Sequence, residues 1–287
     1  EIGNQAVGSN MYISTVSKRT DGNTHWLNGS NKVVAYDLPS LVSPTLKWER
    51  IQTLDIGGDF GFFNNELNIS FDWYQRTTKD MLAPGQTMPD VLGAGAPKIN
   101  AGTLRTRGWE LSIDWRHHFN EINVYANASI GDFKTVITKW DNDSQLLNEN
   151  YSGKVYGDIW GFETDRYFTK DDFNADGSYK EGIASQKKLE QDGFVYGPGD
   201  IKFKDLNNDK EINGGEGTVK DHGDLKVIGN TTPRYQYGFR LGGEWKGIDI
   251  DMFFQGVGKC DAWTQSAFVM PMMRGADAIY ANQANYW

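Results

Sequence analysis

Cysteine is almost absent from this chain of 287 residues: Cys260 stands alone, so neither an intramolecular disulfide nor a cysteine-rich metal site can form. Histidine is scarce too, and His25, His117, His118 and His222 have no spacing that suits zinc. No apolar run reaches the roughly eighteen residues of a membrane-spanning helix. A mean hydropathy of −0.59 is likewise too polar for a bundle of such helices. Positive charge is in deficit: 29 Lys and Arg face 38 Asp and Glu, and a formal charge of −9 argues against nucleic acid as a partner. Signatures of catalysis are missing as well. Gly215 to Gly217 neither follows a strand nor opens a helix, so it is no phosphate loop, and no nucleophile elbow occurs. Neighbouring carboxylates such as Asp171-Asp172 are what any acidic chain contains. The chain is read as not an enzyme.

What the chain does have is aromatic residues, at 13%, and alternation with a period of two. Leu67, Ile69, Phe71 and Trp73 alternate with Asn68, Ser70, Asp72 and Tyr74. The pattern returns in Trp109, Leu111, Ile113 and Trp115, in Ile122 to Ile130, in Tyr235 to Leu241 and in Ile248 to Phe254. Runs of about ten residues with one apolar and one polar face suit tilted strands crossing a bilayer. Six strands are expected, near 48–62, 66–78, 105–117, 121–132, 234–245 and 248–256. Asn64-Asn65, His118 to Asn120 and Lys246-Gly247 would make the short turns, since Asn and Gly tolerate the left-handed backbone of hairpins. Long loops near 80–104 and 133–232 would lie on the opposite side, with an extra strand pair conceivable inside 150–205. Short turns on one side and long loops on the other are the habit of outer-membrane barrels. Six strands of this pattern cannot close alone, and lipid does not tolerate an open sheet edge. The fold class is therefore all-β: a segment of a large antiparallel transmembrane β-barrel with long extracellular loops, in the cell outer membrane.

Several segments carry a family likeness. Pro44 to Glu49 followed by Gly58 to Asn65, Phe71 to Tyr74 followed by Thr77 to Leu82, and Arg107 to Leu111 resemble SusC/RagA-type TonB-dependent outer-membrane transporters. Gly199 to Asn207, Ile228 to Asn230 with Pro233 to Tyr235, Phe253 to Gly256 and Gly3 to Gln5 fit the same pattern in the same order. The resemblance implies a barrel of twenty-two strands with an N-terminal plug, a SusD-like surface lipoprotein as lid, and a TonB complex as the source of energy. It implies import of oligosaccharides or peptides. On this reading residues 1–287 are part of the C-terminal β-barrel domain, and the plug domain, the TonB-interacting segment and the final strands lie outside them.

The sharpest local motif runs from Asp205 to Glu216. Asp205, Asn207, Asp209, the carbonyl of Glu211, Asn213 and Glu216 have the spacing of a calcium loop, because Ca²⁺ takes six to eight oxygens. Lys210 occupies the position where such loops normally place glycine. The bland alternative is a solvated acidic turn, and solvation would also explain the acidic stretches 163–176 and 200–224. Glu110, Asp114, Arg116, Arg234, Arg240, Glu244, Asp249 and Asp251 are expected on the inward face, lining a conduit or pairing with one another. Trp73, Trp109, Trp115 and Trp245 would form the interfacial girdle. Trp26, Trp140, Trp160 and Trp263 would lie in loops, where they could stack on sugar rings or simply pack. The rival architecture is a soluble, calcium-dependent glycan-binding β-sandwich module; a β-rich glycoside hydrolase is a third, for which no catalytic pair stands out.

Overall fold

The computed structural model describes residues 2–3, 13–18, 27–28, 31–32, 36–85, 88–191, 193–263 and 280–281. Trp26, Asn4, Gln5 and most of the terminal stretch 279–287 lie outside the described residues. Three two-residue strands come first: β1 (Ile2–Gly3), β2 (Leu27–Asn28) and β3 (Asn31–Lys32). Four long strands follow: β4 (Glu49–Phe62), β5 (Leu67–Pro84), β6 (Lys98–Phe119) and β7 (Ile122–Trp140). Short strands β8 (Asp158–Phe162), β9 (Thr164–Tyr167), β10 (Ile201–Phe203) and β11 (Leu225–Asn230) belong to the long connection. The chain then returns to the main sheet with β12 (Arg234–Trp245) and β13 (Ile248–Lys259). The main sheet is antiparallel, in the order β1-β4-β5-β6-β7-β12-β13.

Between the short turns and the bulges near Met81 and Thr103 its register is continuous, so one residue's face determines its neighbours' faces. Phe60 lies opposite Ile69, Ile69 opposite Ile113, Ile113 opposite Ala128, Ala128 opposite Phe239 and Phe239 opposite Phe254. The last two rings stack at 4.7 Å. One pleat along, Gly61, Asn68, Asp114, Asn127 and Arg240 form a polar row on the other face. Trp73 and Trp109 are directly opposed on the apolar face, and Trp245 ends the same face between Ile122 and Ile248. Large apolar side chains there, including Ile56, Phe60, Leu241, Ile250 and Phe254, are exposed on this single sheet. That is the inverse of a water-soluble sandwich, which would bury such a face against a second sheet.

Two glycines let aromatic rings lie across strands. A Cβ on Gly242 would stand 2.1 Å from the Tyr125 ring, and one on Gly108 would stand 2.5 Å from the Tyr74 ring. With Gly242 in place, the Tyr125 hydroxyl reaches Asp251 and donates at 2.5 Å.

Strands β5, β6, β7 and β13 exceed their expected lengths at the end away from the short turns. The loop placed near 80–104 is shorter, because β5 runs on to Pro84 and β6 begins at Lys98. The alternation is hidden there by a bulge. Asp80 has φ +57° and the β5–β6 register shifts around Met81. Arg50 holds the Asp80 carboxylate at 2.6 Å, and the Asn100 amide donates to the carbonyls of Asp80 and Lys47 at 2.6 and 2.9 Å. Such bulges re-aim a strand without ending it. Turns also differ in detail. Asn64-Asn65 sits in a turn whose left-handed residues include Phe63, and the second turn is confined to Asn120 and Glu121, with Asn120 at φ +51°. His118 and Phe119 are still strand. The two histidines have separate partners: His117 bonds Glu66 at 2.6 Å and stacks beside Trp115, while His118 bonds Asn123 at 2.6 Å.

Residues 141–233 are folded rather than structureless. Residues 153–156 add to the outer part of β7, with Ile137 N donating to the Lys154 carbonyl at 2.9 Å and Tyr156 N to the Thr135 carbonyl at 2.9 Å. Beyond them β8 pairs with β11 and β9 with β10. Phe168 is buried between Phe173 and Tyr179, at ring distances of 5.1 and 5.8 Å.

The glycine–tyrosine pairing generates a test. Substituting Gly242→Val should expel the Tyr125 ring and destabilise the refolded full-length protein by about 1–3 kcal/mol, the usual cost of overpacking. In a Tyr125→Ala background the same substitution should cost clearly less, read by denaturant unfolding. Equal costs in both backgrounds would refute the contact.

Candidate functional site

Two places gather polar groups: the polar face of the sheet and the folded loops at the end away from the short turns. On the sheet, Arg240 donates to Asp251 at 2.7 and 3.0 Å, and Arg116 approaches Asp114 at 3.2 Å. Asn127 also donates to Asp114, and Asn123 to Glu244 at 3.4 Å. Ser70 donates to Asp59 at 2.5 Å. Four of the eight charges predicted inward thus pair with one another, Asp114 with Arg116 and Arg240 with Asp251, and Glu244 is met by Asn123. Arg234 behaves differently. Tyr235, at φ +53°, interrupts the alternation, and the Arg234 guanidinium forms a two-point pair with Asp132, the residue opposite Trp109. Asp72 and Glu110 stand directly opposite each other, flanked by Gly57 and Gly131. They line a shallow depression of about 460 Å³ with Tyr74, Ser112 and Gln236.

In the loops, acidic residues are partnered, which corrects the reading of 163–176 and 200–224 as merely solvated. Glu163 accepts from Lys204 at 2.7 Å and from Lys226, which pulls its pKa down to about 2. Lys202 holds Asp165 at 2.7 Å and lowers its pKa in the same way. Asp172 is buried, receives both Arg166 nitrogens at 2.6 Å and the Thr169 N–H at 2.7 Å, and is held well below the usual carboxylate range. Gln186 is fully buried; its amide donates to the Ile201 carbonyl at 3.1 Å and accepts from Phe203 N at 2.7 Å, standing in for a strand beside β10.

The Asp205 motif forms a tight turn. The Asp205 carboxylate accepts from Asn208 N at 2.6 Å and Lys210 N at 2.9 Å. Asn207 accepts from Asp209 N at 3.0 Å and donates to the Asp209 carboxylate at 2.9 Å. Asn213 turns its amide onto the Glu211 carbonyl at 3.1 Å, while the Glu211 carboxylate pairs with Lys188 at 2.6 Å. Glu216 is exposed. Among the described residues no three His, Cys, Asp or Glu side chains are grouped so as to hold a metal. Asp205, Asn207 and Asp209 are therefore brought together, and Glu216 does not join Asp205 and Asp209. Lys210 takes φ +67°, the backbone form for which glycine is usual.

The residue that closes this loop was not apparent from the motif. Asp224 is fully buried, and its two oxygens accept from Leu206 N at 2.8 Å and Asn213 N at 2.9 Å, tying the loop's two ends. Its own N–H donates to the Asn213 carbonyl at 2.8 Å. Two N–H groups converging on one buried carboxylate are what could have marked it, but Asp224 lies eight residues past Glu216, and only the fold joins them.

The loops produce two expected results. Asp224→Ala should strand two buried N–H groups and weaken the loop by about 2–4 kcal/mol; limited proteolysis should then cut within 205–224 while the strands stay intact. Unchanged cleavage would contradict the clip. The second concerns acid. Because the Glu163 and Asp172 pKa values are lowered in the folded state, their stabilisation is complete above the ordinary carboxylate range and is lost as pH falls through the lowered values. Hydrogen exchange at β9 and β10 should stay slow at about pH 4 and accelerate only nearer pH 2. Glu163→Gln with Asp172→Asn should remove that dependence.

Comparison with known proteins follows the same lines. A family model described as TonB dependent receptor-like, beta-barrel matches residues 7–259. TonB-dependent receptor P3 of Formosa agariphila is 29% identical over 244 residues, covering 79% of this chain and 22% of the relative. TonB-dependent receptor SusC of Bacteroides thetaiotaomicron is 27% identical over 217 residues, covering 69% of this chain and 19% of that protein. Among solved structures, the RagAB peptide transporter superposes with a TM-score of 0.60 at 20% identity, covering 88% of this chain and 24% of that one. The RagAB peptide importer in its open-open state gives 0.61 at 21% identity, covering 89% and 24%. The chain thus spans about a fifth to a quarter of the proteins it matches.

Proposed function

The chain belongs to the TonB-dependent receptor-like β-barrel family, a family of transporters rather than enzymes, and on that premise we propose that its parent protein imports nutrients across the outer membrane. The cargo would be oligosaccharides or peptides. A SusD-like lipoprotein would cover the outer mouth, and the TonB complex would act through parts of the protein outside this chain. One observation carries this reading: from β4 to β13 the single sheet presents a row of apolar side chains on one face and a mainly polar row on the other, with Phe253 opposite Arg240 the exception at its edge. The apolar face suits lipid and the polar face a hydrated conduit. The folded loops between β7 and β12 would then stand outside the cell, at the surface a lipoprotein lid would meet. A soluble glycan-binding sandwich is left without support, since nothing among the described residues covers the apolar face.

Four measurements test the proposal. The full-length protein should fractionate with the outer membrane and copurify with a lipoprotein encoded beside it, and uptake of its cargo should stop when TonB is deleted. Uptake that persists without TonB would overturn the mechanism. Replacing Ile113 by Arg should cost about 2–4 kcal/mol if it faces the bilayer midplane; a cost near zero would place it in water.

A second reading concerns the Asp205 loop. We propose that it takes Ca²⁺, on the strength of Lys210 at φ +67°, which gives the sixth position the backbone a calcium loop requires. Asp205, Asn207 and Asp209 would supply first oxygens, with the Glu211 carbonyl, Asn213 and Glu216 drawn in on binding. The ion's part would be to hold an external loop in one shape. Affinity should be in the weak range of extracellular modules, roughly 10⁻⁴–10⁻³ M. Calorimetry with CaCl₂ should show that binding and its loss in Asp205→Ala; no heat at concentrations about tenfold above that range would end the idea.

A further inference from the structure

We infer that the depression between the 147–150 turn and the start of β8 is a binding subsite for a neutral saccharide ring. It measures about 540 Å³, within the roughly 300–1,000 Å³ usual for small-molecule sites. Two aromatic side chains border it with most of their surface uncovered: Trp263 is 64% exposed and Tyr156 is 56% exposed. Trp263 is not a loose end. A Cβ on Gly161 would meet its ring at 3.7 Å, so it lies against β8. Trp160 forms part of the lining, fixed by its indole N–H donating to the buried Tyr151 hydroxyl at 3.1 Å.

The polar groups decide the ligand's charge. Lys154 donates to the carbonyls of Glu149 at 2.7 Å and Leu147 at 3.3 Å and keeps its charge. Asp158 accepts from the Asn230 amide at 2.9 Å. The Thr231 hydroxyl donates to the Gly157 carbonyl at 3.3 Å. Asn148 and Asn150 also line the depression, and among the described residues their side-chain amides bond to no protein group. An amide offers one acceptor and two donors, matching hydroxyls that both give and receive hydrogen bonds. Exposed aromatic faces add an apolar platform for the C–H face of a pyranose. With one lysine and one aspartate in its lining, the second acting on the first electrostatically, the depression has no net charge to favour an ion of either sign. The site deepens the import reading and rests on it only for the ligand's source outside the cell.

The test uses the full-length protein in detergent. Tryptophan fluorescence and calorimetry would follow titration with neutral hexasaccharides of the malto, cello, laminari, xylo and manno series, and with a mixture of hexapeptides. At least one neutral series should bind. Trp263→Ala and the double variant Asn148→Ala with Asn150→Ala should each weaken it roughly tenfold, whereas Trp263→Phe should largely retain it. Heat-modifiable gel migration would verify that each variant is folded. Three results would overturn the subsite: no binding by any neutral series, binding indifferent to Trp263 and both asparagines, or Trp263-dependent binding of peptides alone. Binding that follows the prediction while uptake is independent of TonB would sink the transport mechanism and leave the subsite standing. Uptake without this binding would do the reverse.

Discussion

Every feature of this sheet depends on the antiparallel register that runs from β4 to β13 through the rows between the short turns and the bulges near Met81 and Thr103. A side-chain period of two gives each residue one of two faces, and a slip of one residue would exchange them. With Phe60, Ile69, Ile113, Ala128, Phe239 and Phe254 in one row, the apolar surface is continuous across six strands. In water that surface would be a liability of the kind that drives aggregation. In lipid it is what the environment requires, and the sheet's remaining demand is that its edges be paired, because unpaired backbone groups cannot be left in hydrocarbon. In the barrel proposed for the parent protein, further strands would meet that demand.

The polar face and the outer loops solve a different problem. The face is lined with groups that satisfy one another, such as Arg240 with Asp251 and Tyr125, so that the wall stays wet without isolated charges. The loops hold their shape by burying a few carboxylates at points where several donors converge. Asp172 collects a guanidinium and a backbone N–H, Asp224 collects two backbone N–H groups, and Gln186 replaces a missing strand neighbour. Charge-assisted bonds of this kind are stronger than neutral ones and specify one arrangement. They allow a long connection to present defined surfaces, including the aromatic depression around Trp263.

Strand positions and faces were legible in the sequence because alternation is local: the residues of 67–74 announce their pleat without help from elsewhere. Strand ends were less so. Asp80 inserts a left-handed residue that breaks the period, so the pairing beyond it is hidden even though it continues to Pro84. The loop architecture was hardest to read, since its short strands pair over long separations, as Leu225 does with Phe162. A spacing motif revealed the turn at Asp205 but not its closure by Asp224. Spacing also did not reveal that the Glu211 carboxylate is taken by Lys188. Acidic stretches that look merely solvated in one dimension prove to be joined to lysines and arginines when folded.

The central claim is that the two faces of this sheet meet two different media. Spin labels placed singly at Ile69, Ile113 and Phe239, and at Ser70, Asp114 and Arg240, in the full-length protein in bilayers would read this directly. The account predicts that the first three are relaxed by oxygen, which concentrates in lipid, and shielded from a water-soluble nickel complex, while the second three show the opposite. Equal exposure of both sets to the nickel complex would contradict a membrane-embedded barrel wall.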